Sequence, residues 1–529
     1  MRVLLLLALL LVAALAWLLL QPPGGGGELE PSTRPMAVRS AGPRPPSALP
    51  GTPLIAPLIE APAERYADPV TTEADRALAP LVARAGGQYD VGLGRAAREL
   101  AAFYAAEGRL APGAVLAFFL DSAGVAAWGV RQGVVATTDR SDRALVEAVA
   151  EHLGSEPGPW QVGVGEAVRL GDGPGRVIAV LLAHPTHRLD PVDRSAPTGT
   201  LEVAGDLLPG HRRPELVVLS PDQRFIDVPV QVTGQRFRAA WPAEQSGQWV
   251  AELLADGPHG PTPLNQLTFF VDEALPEVHE GTWPMADPEG TDPGDHAFAL
   301  VQRDRQRFGL PPFQRDAALD AVARAHCADM RSTGFVGHIS PTTGGPGERL
   351  VAAGYRAAAS GENVALNKSL ADAQDGLLRS LGHRRNLLST DFTHLGVAAL
   401  AGGEHWYVTQ LFATPRPRLD DLDAARGELL GRLADARSAA GVPGLRRLPA
   451  LDRLAQAEAE RAEPTPRHLL AAAGEADFTG RLSAWVGRLG LLSQFEPEGG
   501  LLDSEFRRVG LGVRQDAEGV IRVVVLLAE

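Results

Sequence analysis

One cysteine, Cys327, in a chain of 529 residues constrains this fold more than any other feature. No intramolecular disulfide can form, and neither a disulfide scaffold nor a cysteine-based zinc site is open to the chain. Each folded unit must be held by an apolar core of its own. The composition permits that, with 45% hydrophobic and 22% charged residues. At roughly 100–200 residues per domain, the length calls for three or four units. A net charge of -14 argues against a general nucleic-acid partner.

The N-terminus reads as a targeting segment. Val3 to Leu20 is uninterruptedly apolar, preceded by Arg2 and followed by Gln21-Pro22-Pro23 and four glycines. This is the pattern of a secretory signal or a single membrane anchor. The small-x-small candidate for cleavage, Ala14-Leu15-Ala16, lies inside the run, which suits an uncleaved anchor better. Arg2 would stay inside, so the expected location is extracytoplasmic, secreted or tethered. Residues 21–62 read as a Pro/Gly-rich linker.

Breaks rich in Pro, Asp and Gly at 184–198 and 276–294, with a short joint at Thr414–Pro417, divide the remainder. The expected units are 63–185, 196–275, 290–415 and 418–529. The second is all-β by pattern. Short runs such as FIDVPVQV (225–232), QRFRAAW (235–241) and QLTFFVD (266–272) are separated by turn signals. Phe237, Ala239, Trp241 and Trp249, Ala251, Leu253 alternate, and the expectation is an immunoglobulin-like sandwich. The third unit is α then β. Leu319, Val322, Ala323, His326 and Met330 form one helical stripe.

The first and fourth units look related. WQVGVGEAVRLGDGPGRVIAVLLA (160–183) parallels FRRVGLGVRQDAEGVIRVVVLLAE (506–529), and FTHLGVAALAGGEHWYVTQLFA (392–413) has the same layout. Each is a glycine-bearing strand, a polar turn and a final apolar strand. The reading is three copies of one α/β unit, with the β module inserted after the first.

The third unit also concentrates the residues that can carry chemistry: Gly337-His338, Gly361-Glu362-Asn363 and Gly382-His383-Arg384-Arg385-Asn386. Two neutral imidazoles and a carboxylate can hold a divalent metal with an open position. They can equally serve as acid and base around a bound water.

Seven stretches give this block a family likeness: QRDRQRFGLPPFQRDAALDAVARAHCADM, FVGHISP, ERLVAAGY, GENVA, GHRRNLL, FTHLGVA and WYVTQLF. Their order and spacing resemble the CAP superfamily (cysteine-rich secretory proteins, antigen 5 and pathogenesis-related 1 proteins), most of all its bacterial branch. The resemblance covers about a quarter of the chain. It implies an α-β-α sandwich for this block, whose surface cleft is lined by His338, Glu362 and His383; with the flanking units, the expected fold class is multidomain α+β with that sandwich at its centre. Some family members bind zinc or another divalent cation there. Others bind sterols or fatty acids elsewhere, and peptidase activity has been claimed for a few. No single activity travels with the fold.

The match has departures. The usual bacterial stretch before the second histidine, Trp-x-x-Ser-Pro-Gly-His-Arg, is replaced by Leu378-Arg379-Ser380-Leu381-Gly382-His383-Arg384, without the Trp or the Pro. A second cleft glutamate found in many members has no match. In the first unit, Gln132 falls where Glu362 does and His152 near His383, with no partner for His338. In the fourth, His468 is the sole histidine. Both flanking units read as degenerate CAP-like copies that serve packing or partner binding.

The expected function is extracytoplasmic binding of a divalent ion or small ligand by His338, Glu362 and His383 at the cell envelope. Lipid, peptide or protein are the partner classes. The alternatives are a metal-assisted hydrolase of peptide or envelope polymer, and a structural adhesin. His326 reads as a core histidine, Cys327 as a small buried residue, and His394 and His405 as surface residues. Asn363 and Asn386 read as loop ties. Arg384 and Arg385 read as partners of Glu362 or as solvated charges.

Overall fold

The computed structural model describes residues 37–38, 52–154, 158–168, 175–284, 287–416, 418–476, 478, 480–516 and 519–529. The apolar run Val3–Leu20 lies outside them. Among the described residues no helix is long and apolar enough to cross a membrane.

The chain is a mixed α/β protein, and among the described residues one four-stranded sheet plan occurs three times. In the third unit the order is Gln314–Arg315, His394–Gly402, His405–Pro415, Ala357–Asn367. In the first unit it is Gln88–Tyr89, Gln161–Ala167, Arg176–Ala183, Arg131–Thr137. In the last it is Arg446–Arg447, Arg508–Gln515, Ile521–Ala528, Leu482–Leu489. Each sheet opens on a two-residue parallel strand and continues antiparallel.

The third unit has three layers. The helix Ala317–Thr333 packs Leu319, Ala323, Cys327 and Met330 against Ala398, Leu411 and Ala413 on one sheet face. The helices Pro293–Arg307, Leu370–Arg379 and Leu381–Leu388 cover the other face, around Val301, Leu377, Leu387, Val397 and Phe412. The predicted stripe is the buried one: Leu319, Val322, Ala323, His326 and Met330 are all inside. Helix and sheet meet closely at Gly396, where a Cβ would lie 2.2 Å from the Leu319 carbonyl carbon. Glycine is therefore required by backbone approach, not by dihedral freedom.

Between the first and third units stands a two-sheet β sandwich. One sheet orders Ala37–Val38, Phe225–Val228, Arg212–Leu219, Gly247–Gly257, Gly260–Val271 and Ser195–Ala196. The other orders Gln231–Thr233, Arg236–Ala243, Gly199–Leu207 and His187–Leu189. Alternation places Phe237, Ala239 and Trp241 in its core with Trp249, Ala251 and Leu253.

Two strands occur where a linker was expected. Pro53–Pro57 pairs with Val278–Thr282, itself inside an expected break. Leu54 and Ala56 alternate inward and join the first unit's core, which explains why this Pro-flanked piece is held. Ala37–Val38 pairs with Asp227 and Ile226 at an edge of the sandwich.

Candidate functional site

Glu362 lies on the outer strand Ala357–Asn367 and is only 6% exposed. A carboxylate that deep must be paired. Its Oε1 is 3.0 Å from His338 Nδ1, and its Oε2 accepts from the Arg349 guanidinium in the short helix Pro346–Ala352. Burial alone would raise the carboxyl. The bond from His338 and the charge of Arg349 outweigh it and hold Glu362 below the ordinary carboxylate range. An ionised carboxylate only accepts, so His338 Nδ1 carries a proton, and Nε2 is the nitrogen that holds the lone pair whenever the ring is neutral.

Arg349 also donates to the carbonyls of His338 and Gly344, at 3.0 and 2.6 Å. It thereby fixes the loop that carries His338. His383, in the helix Leu381–Leu388, has its ring centroid 6.2 Å from that of His338. Burial, with His338 beside it, pushes its imidazole down to about 3, so it is neutral at physiological pH. Its Nδ1 is buried without a hydrogen-bond partner among the described residues.

The three expected site residues thus converge. Both rings line a cavity of about 1570 Å³, whose walls also include Trp128 and Gln132 of the first unit and His259 of the sandwich. A metal fits this set only in part. Among the described residues no group of three or more His, Cys, Asp and Glu is arranged to hold one. Both Glu362 oxygens are engaged within the protein. A cation would have His338 and His383 as its protein ligands, with Glu362 behind His338 as the group that orients it.

Other expectations divide. His326 is buried, its Nε2 hydrogen-bonded with the Gly337 carbonyl at 2.9 Å and lying 4.0 Å from Glu362. Cys327 is fully buried, and burial pushes its thiol up to about 12. Asn363 donates to the His383 carbonyl and Asn386 to the Glu362 carbonyl, both at 3.2 Å, so the two amides tie the site's strand to its helix. His394 and His405 are half-buried rather than exposed, and His405 lines the cavity. The arginines are a correction. Arg384 and Arg385 do not meet Glu362; they reach across to Gln223 and Asp227 of the sandwich, at 2.8 and 2.6 Å. The helix that carries them faces that module, so their side chains are spent there.

Sequence reasoning missed Arg349 and Glu252. Glu252, on the sandwich strand Gly247–Gly257, is fully buried beneath Ser380, Leu381 and Gly382. A signal for it exists in the pattern. With Trp249, Ala251 and Leu253 inward, Val250 and Leu254 are apolar residues on the outward face, as expected of a strand that packs against something.

Residues 298–412 match the family model described as CAP: Cysteine-rich secretory protein family. The uncharacterized protein YkwD of Bacillus subtilis (strain 168) is 37% identical over 114 residues, 21% of this chain and 44% of that protein. The uncharacterized membrane protein YlbC of the same organism is 36% identical over 109 residues, 20% of this chain and 30% of that one. The chain therefore spans less than half the length of either relative. Among solved structures, an extracellular protein containing an SCP domain from Bacillus anthracis str. Ames is 20% identical, with a TM-score of 0.22, 53% of this chain and 93% of that one being covered. A cysteine-rich secretory protein from Staphylococcus aureus is 10% identical, with a TM-score of 0.20, covering 43% of this chain and 82% of that one.

Proposed function

We propose that this protein, whose residues 298–412 form a CAP domain, works outside the cytoplasm as a ligand-binding module of the cell envelope. The His338–His383 cleft takes a divalent cation or a small polar ligand. The observation that carries this reading is the buried Arg349–Glu362–His338 chain, which costs desolvation and leaves His338 Nε2 presented beside a neutral His383. The apolar run Val3–Leu20 supports the extracytoplasmic setting, and the relative YlbC is itself named a membrane protein. In this reading the sandwich is an immunoglobulin-like module, and the first and last units are CAP-like copies without a site. Their shared strand order supports that descent.

The test is a calorimetric zinc titration of the full chain, wild type against the His338→Ala, His383→Ala double variant. A stoichiometric site lost in the variant is expected. Equal binding by both proteins would remove the cleft from the proposal.

A second reading, a hydrolase, is favoured by one feature: the His338 Nδ1 bond to Glu362 leaves Nε2 able to take a proton from a bound water. Turnover of a peptide library that stops in Glu362→Gln would favour it over simple binding.

A further inference from the structure

We infer that Glu252 of the β sandwich is a positioning residue for His383, so that the ligand site belongs to two modules and not to the CAP domain alone. The inference rests on the cleft reading above for its functional meaning, though its first readout needs no ligand.

Glu252 has no exposed surface. One of its oxygens accepts from the Gly382 amide at 2.9 Å and from Ser380 Oγ at 3.1 Å. The other accepts from the Leu381 amide at 2.9 Å. These are the free amides of the first turn of the helix Leu381–Leu388. Ser380, the residue at the cap position, makes no side-chain cap of its own. The sandwich supplies it instead, with the two oxygens of Glu252 taking the cap role. His383 follows directly, so the cap fixes the turn that aims its ring. Gln266 of the same module donates to the Arg379 carbonyl at 2.8 Å and closes the preceding helix end.

The sandwich holds the second imidazole as well. The His259 carbonyl accepts from the amides of both His338 and Ile339, each at 2.9 Å. Both candidate ligands thus have local backbone fixed by another module.

This arrangement accounts for the departure at residue 381. A proline there has no amide to give. Leu381 gives its amide to Glu252, and its side chain is buried with Val217, Leu219 and Phe225 of the sandwich. The altered motif is the signature of a domain contact that a free-standing CAP domain would not need.

The test uses the full chain with ¹⁵N-labelled histidine. The His383 ring resonances are identified by their loss in His383→Gln. Glu252→Ala is expected to shift them and to weaken zinc binding about 10–100-fold, the usual effect of removing a group that orients a ligand. Glu252→Gln, which keeps one acceptor oxygen and the same shape, is expected to lie between. Should the alanine variant not fold, the glutamine variant decides. Leu381→Pro should shift the same resonances, and shift them no further in the Glu252→Ala background.

Arg385→Ala loosens the same interface, through Asp227, without touching the cap. It should leave the His383 signal in place. An unmoved His383 signal in folded Glu252 variants overturns the inference. So does a shift in Arg385→Ala as large as that in Glu252→Ala. A shifted ring in a protein whose wild type binds no zinc supports the positioning role and removes the metal from the cleft reading.

Discussion

The third and last units are built on the same scaffold and differ in what they put on it. Each ends its first helix in a buried arginine. Arg305 donates to the carbonyls of Pro311, Leu387 and Ser389; Arg437 donates to those of Pro443, Leu501 and Phe506. Each opens its second helix with an aspartate that ties an arginine to the facing strand: Asp320 with Arg315 and the Val397 amide, Asp452 with Arg447 and the Leu511 amide. Each needs a glycine under that helix, Gly396 in one and Gly510 in the other.

The site diverges on the outer strand. Glu362 pairs with Leu411, which pairs with Gly396. By the same register Ala484 pairs with Leu526, which pairs with Gly510. The last unit therefore has alanine where the third has its buried carboxylate. In the first unit the chain Gln132, Leu181, Gly163 puts a glutamine at that place, in line with the sequence alignment of the two units. Scaffold contacts are common to the units, whereas the polar site is confined to one. A buried carboxylate is costly unless it is paired, and in the third unit Arg349 and His338 pair it.

His383 is held at about 3 against an ordinary value near 6.5. Its folded value is depressed, so the unfolded chain binds the extra proton between those limits. Stability of the third unit should be full above pH 6.5 and fall as pH drops toward 3, by on the order of 4–5 kcal/mol. Acid unfolding followed by intrinsic fluorescence should lose much of that slope in His383→Gln. An unchanged slope would break the link between burial of this ring and the site.

Next come the buried arginines. Arg305→Ala and Arg437→Ala each leave three carbonyls unanswered and a void, and each should cost about 3–4 kcal/mol in denaturant unfolding of its own unit. A common scaffold predicts similar losses. A loss in one unit only would mean that the second arginine is incidental.

The smallest of the three concerns the glycines. Gly396→Ala and Gly510→Ala force a Cβ to within 2.2 and 2.1 Å of helix backbone, at Leu319 and Leu451 respectively. Each should cost about 1–3 kcal/mol by thermal unfolding. Only Gly396→Ala should also weaken zinc binding, because only that helix leads into the loop of His338.

Much of this was legible in sequence. The stripe of the helix Ala317–Thr333 has period, and the glycine-bearing strands repeat, because packing against a neighbouring layer imposes spacing on a chain. His338, Glu362 and His383 stand beside glycines in a family order, so they too could be named in advance. Arg349 lay inside the stretch ERLVAAGY but had no glycine beside it; its sequence neighbour is the charged Glu348, whereas its partner Glu362 is 13 positions away. The strand Pro53–Pro57 was hidden by its flanking prolines, and only its partner Val278–Thr282, far along the chain, makes it a strand.

From the sequence alone it follows that no intramolecular disulfide holds the chain, that its units rest on apolar cores, and that His338, Glu362 and His383 are the candidates for a site. Periodicity and residue type are local properties, and a chain cannot conceal them. The tertiary structure decided which charges meet. It gave Glu362 to Arg349 rather than to Arg384 or Arg385, and it brought Glu252 from another module to the amides beside His383. Such pairings depend on desolvation and on distance in space, and neither is written in the spacing of residues along the chain.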